Sequence, residues 1–152
     1  MVIEESMMKP VFFYGLFMDP ELLRKQGYHP SGHQVSKLEK YKLCLGERAT
    51  LIRDQTEEVW GIVMNLSEIE LERLYSARSV AEYNPISVKC ITEDSEEIIA
   101  DVYILPEGYK FNPPKDAVYA RQLYSICQKL SLPTFYLQAL EDIIIKIEKS
   151  AE

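Results

Sequence analysis

The chain is poor in the residues that build metal centres and disulfide frameworks: its 152 residues include three cysteines and two histidines. Cys44, Cys90 and Cys127 are odd in number, far apart and set in apolar context. They form no CxxC and no Cys/His pair at metal-ligand spacing, so reduced, buried thiols in a cytoplasmic protein are the economical reading. His29 and His33 share one loop without acidic or thiol neighbours in sequence. They read as solvated, and neither a metal nor another cofactor is expected. Positive charge is also scarce: 17 Lys and Arg against 24 Asp and Glu leave a formal net charge of −7. That balance excludes broad attraction to nucleic acid or to an anionic membrane surface. Between Leu66 and Asp101, nine acids face only Arg73, Arg78 and Lys89, which places six of the seven net charges on one stretch, read as a solvated face. No apolar run approaches the roughly 18 residues that a membrane span needs. The longest candidate, Ile143-Ile144-Ile145, is flanked by charge, and Glu4 and Glu5 are the wrong sign for a signal peptide. GxGxxG, phosphate-loop, HExxH, GxSxG and EF-hand signatures are all missing.

What remains is an ordinary globular composition, 47% hydrophobic and 27% charged. Surface scaling gives about 25,000 Å² exposed when unfolded and about 8,000 Å² when folded, enough burial for one domain over residues 1–152 without staples. Val11-Phe12-Phe13-Tyr14 is a continuous apolar run ended by Gly15, as in a buried strand. Asp19-Pro20-Glu21 then supplies an N-cap acid, Pro at the first helical position and an acid in the first turn. The helix should span 20–26 and stop at Gly27, with a loop over 28–33. Strands are expected over 40–46 and 49–52, then a polar turn over 53–57, then a central strand over 59–66 that is apolar on both faces. Ser67 and Glu70 have capping-box spacing and open a short helix through Tyr75. The segments 86–92 and 97–105 should form a hairpin across the acidic turn 93–96. After Pro113-Pro114 the period changes. Val118, Leu123, Ile126, Cys127 and Leu130 mark one helix over 115–130, and Tyr136, Leu140, Ile143, Ile144 and Ile147 mark the next. Strands gathered ahead of helices argue α+β.

The most informative segment is Phe13-Tyr14-Gly15-Leu16-Phe17-Met18-Asp19-Pro20. A buried strand that runs through Tyr-Gly into a capped helix exposes backbone N–H groups, which suit a carboxylate or another anion. Gly15 there permits close backbone approach or a positive φ. The bland reading of the same residues is an ordinary strand-to-helix turn.

The loop from Tyr14 to Leu23 resembles the Tyr-Gly-Ser-Leu-type loop of gamma-glutamylcyclotransferase-like proteins. Gly46-Glu47-Arg48-Ala49-Thr50-Leu51, the Val59-Trp60-Gly61-Ile62-Val63 strand, the Leu71–Leu74 helix and Tyr83 follow in that family's order. The resemblance covers about residues 11–105, with the helices over 115–149 less diagnostic. It implies a twisted β-barrel with flanking helices and a C-terminal helical hairpin, in which Tyr14, Gly15, Leu16, Phe17, Met18 and Tyr83 contact the ligand. It also implies a reaction: the substrate α-amine attacks its own γ-glutamyl carbonyl, giving 5-oxoproline and a free amine. A glutamate at the end of the short helix takes the ammonium proton, loop N–H groups bind the carboxylate or stabilise the carbonyl oxygen, and no metal or cofactor is needed.

The sequence departs from that pattern at the base. Counting back from Tyr83, the glutamate position falls on Ser76 or Ala77, and neither is a base of the required strength. Glu82 is the one acid between Tyr75 and Tyr83, and a shifted loop would bring it into the site; strand alternation would turn it to solvent. Glu72 on the helix and Glu47 beside Arg48 are further candidates, each also readable as a surface residue. Arg78 could bind an anion or be solvated, and Tyr103 could line the pocket or belong to the core. Two classes of function therefore stand: an enzyme that cyclises γ-glutamyl amines or peptides with a relocated base, or a relative that binds a γ-glutamyl or similar anionic ligand without the chemistry.

Overall fold

The computed structural model describes residues 7–77, 80–110 and 112–150. Their strands close into a barrel in the order β1-β3-β2-β4-β5. These are β1 (Met8–Phe13), β2 (Ser31–Leu45), β3 (Ala49–Ser67), β4 (Asn84–Thr92) and β5 (Glu97–Ile104). Neighbours pair antiparallel except at the closure, where β1 meets β5 in parallel at Val11 and Asp101. The α-helices are α1 (Pro20–Lys25), α2 (Glu68–Leu74), α3 (Val118–Lys129) and α4 (Thr134–Ser150), with a single 3₁₀ turn at Leu16–Met18. The result is the mixed α+β barrel implied above. Among the described residues no helix is long and apolar enough to cross a membrane.

The central-strand expectation holds because β3 is flanked on both sides, by β1 and by β2. Its residues from Val59 to Met64 are accordingly buried on both faces. Gly61 is required there. A Cβ at that position would lie 2.2 Å from the Phe13 carbonyl oxygen and 3.0 Å from the Phe12 ring. The polar stretch 53–57 is not a turn, however. It lies inside β3, opposite a register break in β2 where Glu39 pairs with Glu58 and Tyr41 already pairs with Arg53. Lys40 absorbs the break with φ 69°, and Asp54 accepts from both the backbone N–H and the hydroxyl of Thr56 at 3.0 and 2.9 Å. Local polarity marked an interruption in the ladder, and the strand continues past it to the true turn over 46–48. For the same reason the loop expected over 28–33 ends early, since β2 begins at Ser31.

The helix signals read more directly. The Asp19 carboxylate accepts the Glu21 N–H at 3.0 Å, and Gly27 at φ 94° lets the Tyr28 N–H reach back to the Leu23 carbonyl at 3.0 Å. Half of the capping box forms: Ser67 Oγ accepts the Glu70 N–H at 3.1 Å. The Glu70 carboxylate turns instead to His29, meeting its N–H at 2.9 Å and its Nδ1 at 3.0 Å. His29 thus has an acidic neighbour that the sequence did not show. Among the described residues, no three His, Cys, Asp or Glu gather at one point. The apolar stripe of α3 also shifts, since Val118 is exposed and Tyr119 occupies the face of Leu123 and Cys127. Leu123, Cys127, Leu132, Tyr136 and Leu140 join the barrel's own core, so α3 and α4 close one end of it. Cys90 and Cys127 are buried, while Cys44 keeps partial exposure.

Candidate functional site

The 3₁₀ turn, the turn over 46–48, the end of α2, β5 and the start of α3 surround a cavity of about 240 Å³. Its deepest wall is the end of β1, where Phe12, Phe13 and Tyr14 are all buried. The turn that follows supplies Gly15, Leu16 and Phe17. Gly15 sits there at φ −113°, so its value is closeness and not a positive φ: a Cβ would lie 2.7 Å from the Tyr119 hydroxyl. Internal bonds of the turn use the N–H groups of Met18 and Asp19, and the Leu16 backbone faces the Tyr119 hydroxyl. The N–H groups of Gly15 and Phe17 make no hydrogen bond among the described residues, and both residues line the cavity. Met18 does not line it; the side chain is fully buried in the core.

Tyrosine dominates the rest of the wall. Tyr75 and Tyr103 stack in parallel, centroids 3.8 Å apart and planes 4° apart, and Phe17 meets Tyr75 edge-on at 6.1 Å. The Tyr14 hydroxyl donates to the Tyr103 carbonyl at 2.8 Å, and the Tyr83 hydroxyl donates to the Ala49 carbonyl. Burial raises the pKa of Tyr14, Tyr75, Tyr83 and Tyr103, and that of Tyr119 to about 12, with neighbouring tyrosines adding to most of these shifts. At neutral pH these phenols are uncharged donors, and none is a base.

Charge enters only at the rim. Glu47 and Arg48, consecutive in the turn between β2 and β3, are the charged residues lining the cavity among those described. Glu47 is exposed and tied to the segment before α3: its N–H donates to the Asn112 carbonyl at 3.1 Å and its carboxylate accepts from Asn112 Nδ2 at 3.2 Å. The Arg48 guanidinium lies 5.2 Å from the centre of the Tyr83 ring and 5.5 Å from that of Tyr109, and donates to the Glu82 carboxylate. Partial burial works against its charge, but Glu82 and Tyr109 outweigh that and raise its pKa.

This arrangement places each acid considered for the base. Glu82 is spent on Arg48, its side chain 62% exposed and outside the cavity lining. Glu72 is exposed on α2, and Ser76 and Ala77 are exposed beyond the lining. Arg78 lies outside the described residues. The side chain that the end of α2 sends into the cavity is Tyr75. Sequence reasoning identified Tyr14, Gly15, Leu16, Phe17, Tyr83 and Tyr103, all of which line the cavity. It gave no such role to Arg48, Tyr75 or Tyr119. For Tyr119 a signal was present, since its spacing of four and eight from Leu123 and Cys127 puts it on the inward face of α3.

The fold has known counterparts. Residues 11–125 match the family described as gamma-glutamyl cyclotransferase, AIG2-like. The chain belongs to that family. A human gamma-glutamylcyclotransferase is 25% identical across 92% of this chain and 80% of its own length. Among solved structures, a gamma-glutamyl cyclotransferase superposes with a TM-score of 0.77 at 23% identity, over 89% of this chain and 87% of that one. A yeast cyclotransferase specific to glutathione superposes with a TM-score of 0.59 at 14% identity, over 95% and 98% of the two chains. At those identities the two structural likenesses speak for the fold alone.

Proposed function

We propose that this family member binds a γ-glutamyl compound in the barrel cavity and does not cyclise it by the base that the family pattern implies. The carrying observation is Tyr75. The end of α2 delivers a neutral, stacked phenol into the cavity, while Ser76 and Ala77, where that pattern calls for a carboxylate, are exposed beyond the lining. The one acid between Tyr75 and Tyr83, Glu82, is turned away to Arg48. What remains is a good binding site. The N–H groups of Gly15 and Phe17 suit the γ-carbonyl oxygen, and the adjacent opposite charges of Arg48 and Glu47 suit the α-carboxylate and α-ammonium of the glutamyl head.

Incubation with a panel of γ-glutamyl amino acids, read by mass spectrometry for 5-oxoproline and by calorimetry for binding, tests this. Binding without product is the expected result. One observation favours a second reading: Glu47 is the only carboxylate in the lining among the described residues, placed where a ligand ammonium would sit. Product formation by the native chain that is lost in Glu47→Gln would make Glu47 the relocated base and overturn the binding-only proposal.

A further inference from the structure

From the separation of charge and aromatic surface in the cavity, we infer that the amine half of the ligand is uncharged and aromatic, as in the γ-glutamyl amide of 2-phenylethylamine. This inference rests on the γ-glutamyl reading above and adds the half of the molecule which that reading leaves open. The cavity has two chemically distinct parts. Among the described residues, both ionic side chains of its lining, Glu47 and Arg48, come from one surface turn. The parts walled by the end of β1, the end of α2, β5 and α3 carry rings: Phe12, Phe13, Phe17 and the tyrosines. Several tyrosine hydroxyls are already committed, that of Tyr14 to the Tyr103 carbonyl and that of Tyr83 to the Ala49 carbonyl. Their rings, not their hydroxyls, are what they offer.

A glutamyl head anchored at the rim directs the other half of the ligand inward against those rings. A second carboxylate or ammonium there would give up its water with no opposite charge to replace it, which is costly in an apolar enclosure. Rings attract cations as well, but an ammonium is best held with an opposite charge beside it, and among the described residues the one acid of the lining stands at the rim. A flat aromatic group meets neither difficulty and can extend the existing Phe17–Tyr75–Tyr103 cluster.

Titration calorimetry with γ-glutamyl-2-phenylethylamide, γ-glutamylglutamate, γ-glutamyl-ε-lysine and N-acetyl-2-phenylethylamine tests the inference. γ-Glutamyl-2-phenylethylamide is expected to bind at least about tenfold more tightly than either analogue with a charged amine half, the gain from burying one phenyl group. Phe17→Ser, at the half-exposed end of the cluster, should bring the three γ-glutamyl affinities toward parity. A variant that was merely less well folded would lower all three and keep their ratio. Equal binding of the three by the native chain, or preference for a charged one, overturns the aromatic inference while leaving the γ-glutamyl reading standing. Binding of N-acetyl-2-phenylethylamine with no binding of any γ-glutamyl compound overturns the γ-glutamyl reading instead. Failure of all four ligands to bind overturns both.

Discussion

Substituting Glu82 by Gln separates two roles that this residue can have, because their magnitudes do not overlap. If Glu82 were a general base, its loss would lower turnover by about 10²–10⁴. The geometry gives it a different task, holding the Arg48 guanidinium against the rings of Tyr83 and Tyr109. The pair is asymmetric: the Arg48 side chain is 23% exposed and that of Glu82 62% exposed. Solvent screening on the Glu82 side limits the ion pair to about 0.2–1 kcal/mol. After the substitution Arg48 still has two ring contacts, each of about 0.5–1 kcal/mol, so the guanidinium stays near its place. The expected loss of stability is thus at most about 1 kcal/mol, a fall of about 2–4 °C in Tm for a chain of this size. Ligand affinity should fall only a few-fold. Arg48→Met removes the charged donor itself, about 1.5–3 kcal/mol, and should weaken binding of a γ-glutamyl ligand by about 10- to 150-fold. Thermal melts and calorimetry on both variants measure the contrast. A hundredfold loss of turnover in Glu82→Gln, with melting and binding near those of the native chain, would refute this reasoning and return Glu82 to the role of base.

Three further outcomes follow from the packing. Gly61→Ala should cost at least about 2 kcal/mol in denaturant unfolding, because the new Cβ overlaps the Phe13 carbonyl and forces the β1–β3 ladder apart; native-like stability would contradict the close approach. In a spectroscopic titration, Tyr14, Tyr75, Tyr83, Tyr103 and Tyr119 should resist ionisation beyond their ordinary value of 10.0 as long as the fold persists. Their folded pKa values lie above the unfolded ones, so the stability they contribute is complete below pH 10.0 and drains away as pH rises through about 12, the value for Tyr119. Ionisation of all ten tyrosines near pH 10.0 in folded protein would be the contrary result. A thiol reagent should modify Cys44 in the native state and reach Cys90 and Cys127, whose pKa values burial pushes up to about 12, only on unfolding.

Much of the fold was legible because its signals are local. The Asp19 cap, the Gly27 stop, the Ser67 cap and the doubly apolar run in β3 each depend on a few consecutive residues, and each stands where the pattern put it. Ladder continuity is not local. Residues 53–57 read as a turn because they are polar, yet strand pairing is decided by the partner strand, and β2 follows β3 past the interruption. The inward face of α3 was missed by one position for a related reason. Val118 and Tyr119 are both compatible with a helical stripe, and only the barrel beneath α3 selects Tyr119.

The site divides along the same line. The Tyr14–Phe17 segment is contiguous and could be read directly, whereas the rest of the cavity is assembled from the turn over 46–48, the end of α2, β5 and α3. Counting residues back from Tyr83 placed the expected base at Ser76 or Ala77, but a count cannot say which side chain at a helix end turns inward. The stack on Tyr103 and the edge of Phe17 decide that it is Tyr75. The two halves of the departure belong together physically. With a carboxylate at that helix end, the aromatic cluster would surround a charge; with Tyr75 there, the cluster is continuous, and the charged residues of the lining among those described are Glu47 and Arg48 at the rim. A ring at that helix end therefore bears on which ligands the cavity can hold, because a charge set against the cluster would give up its water with nothing to replace it.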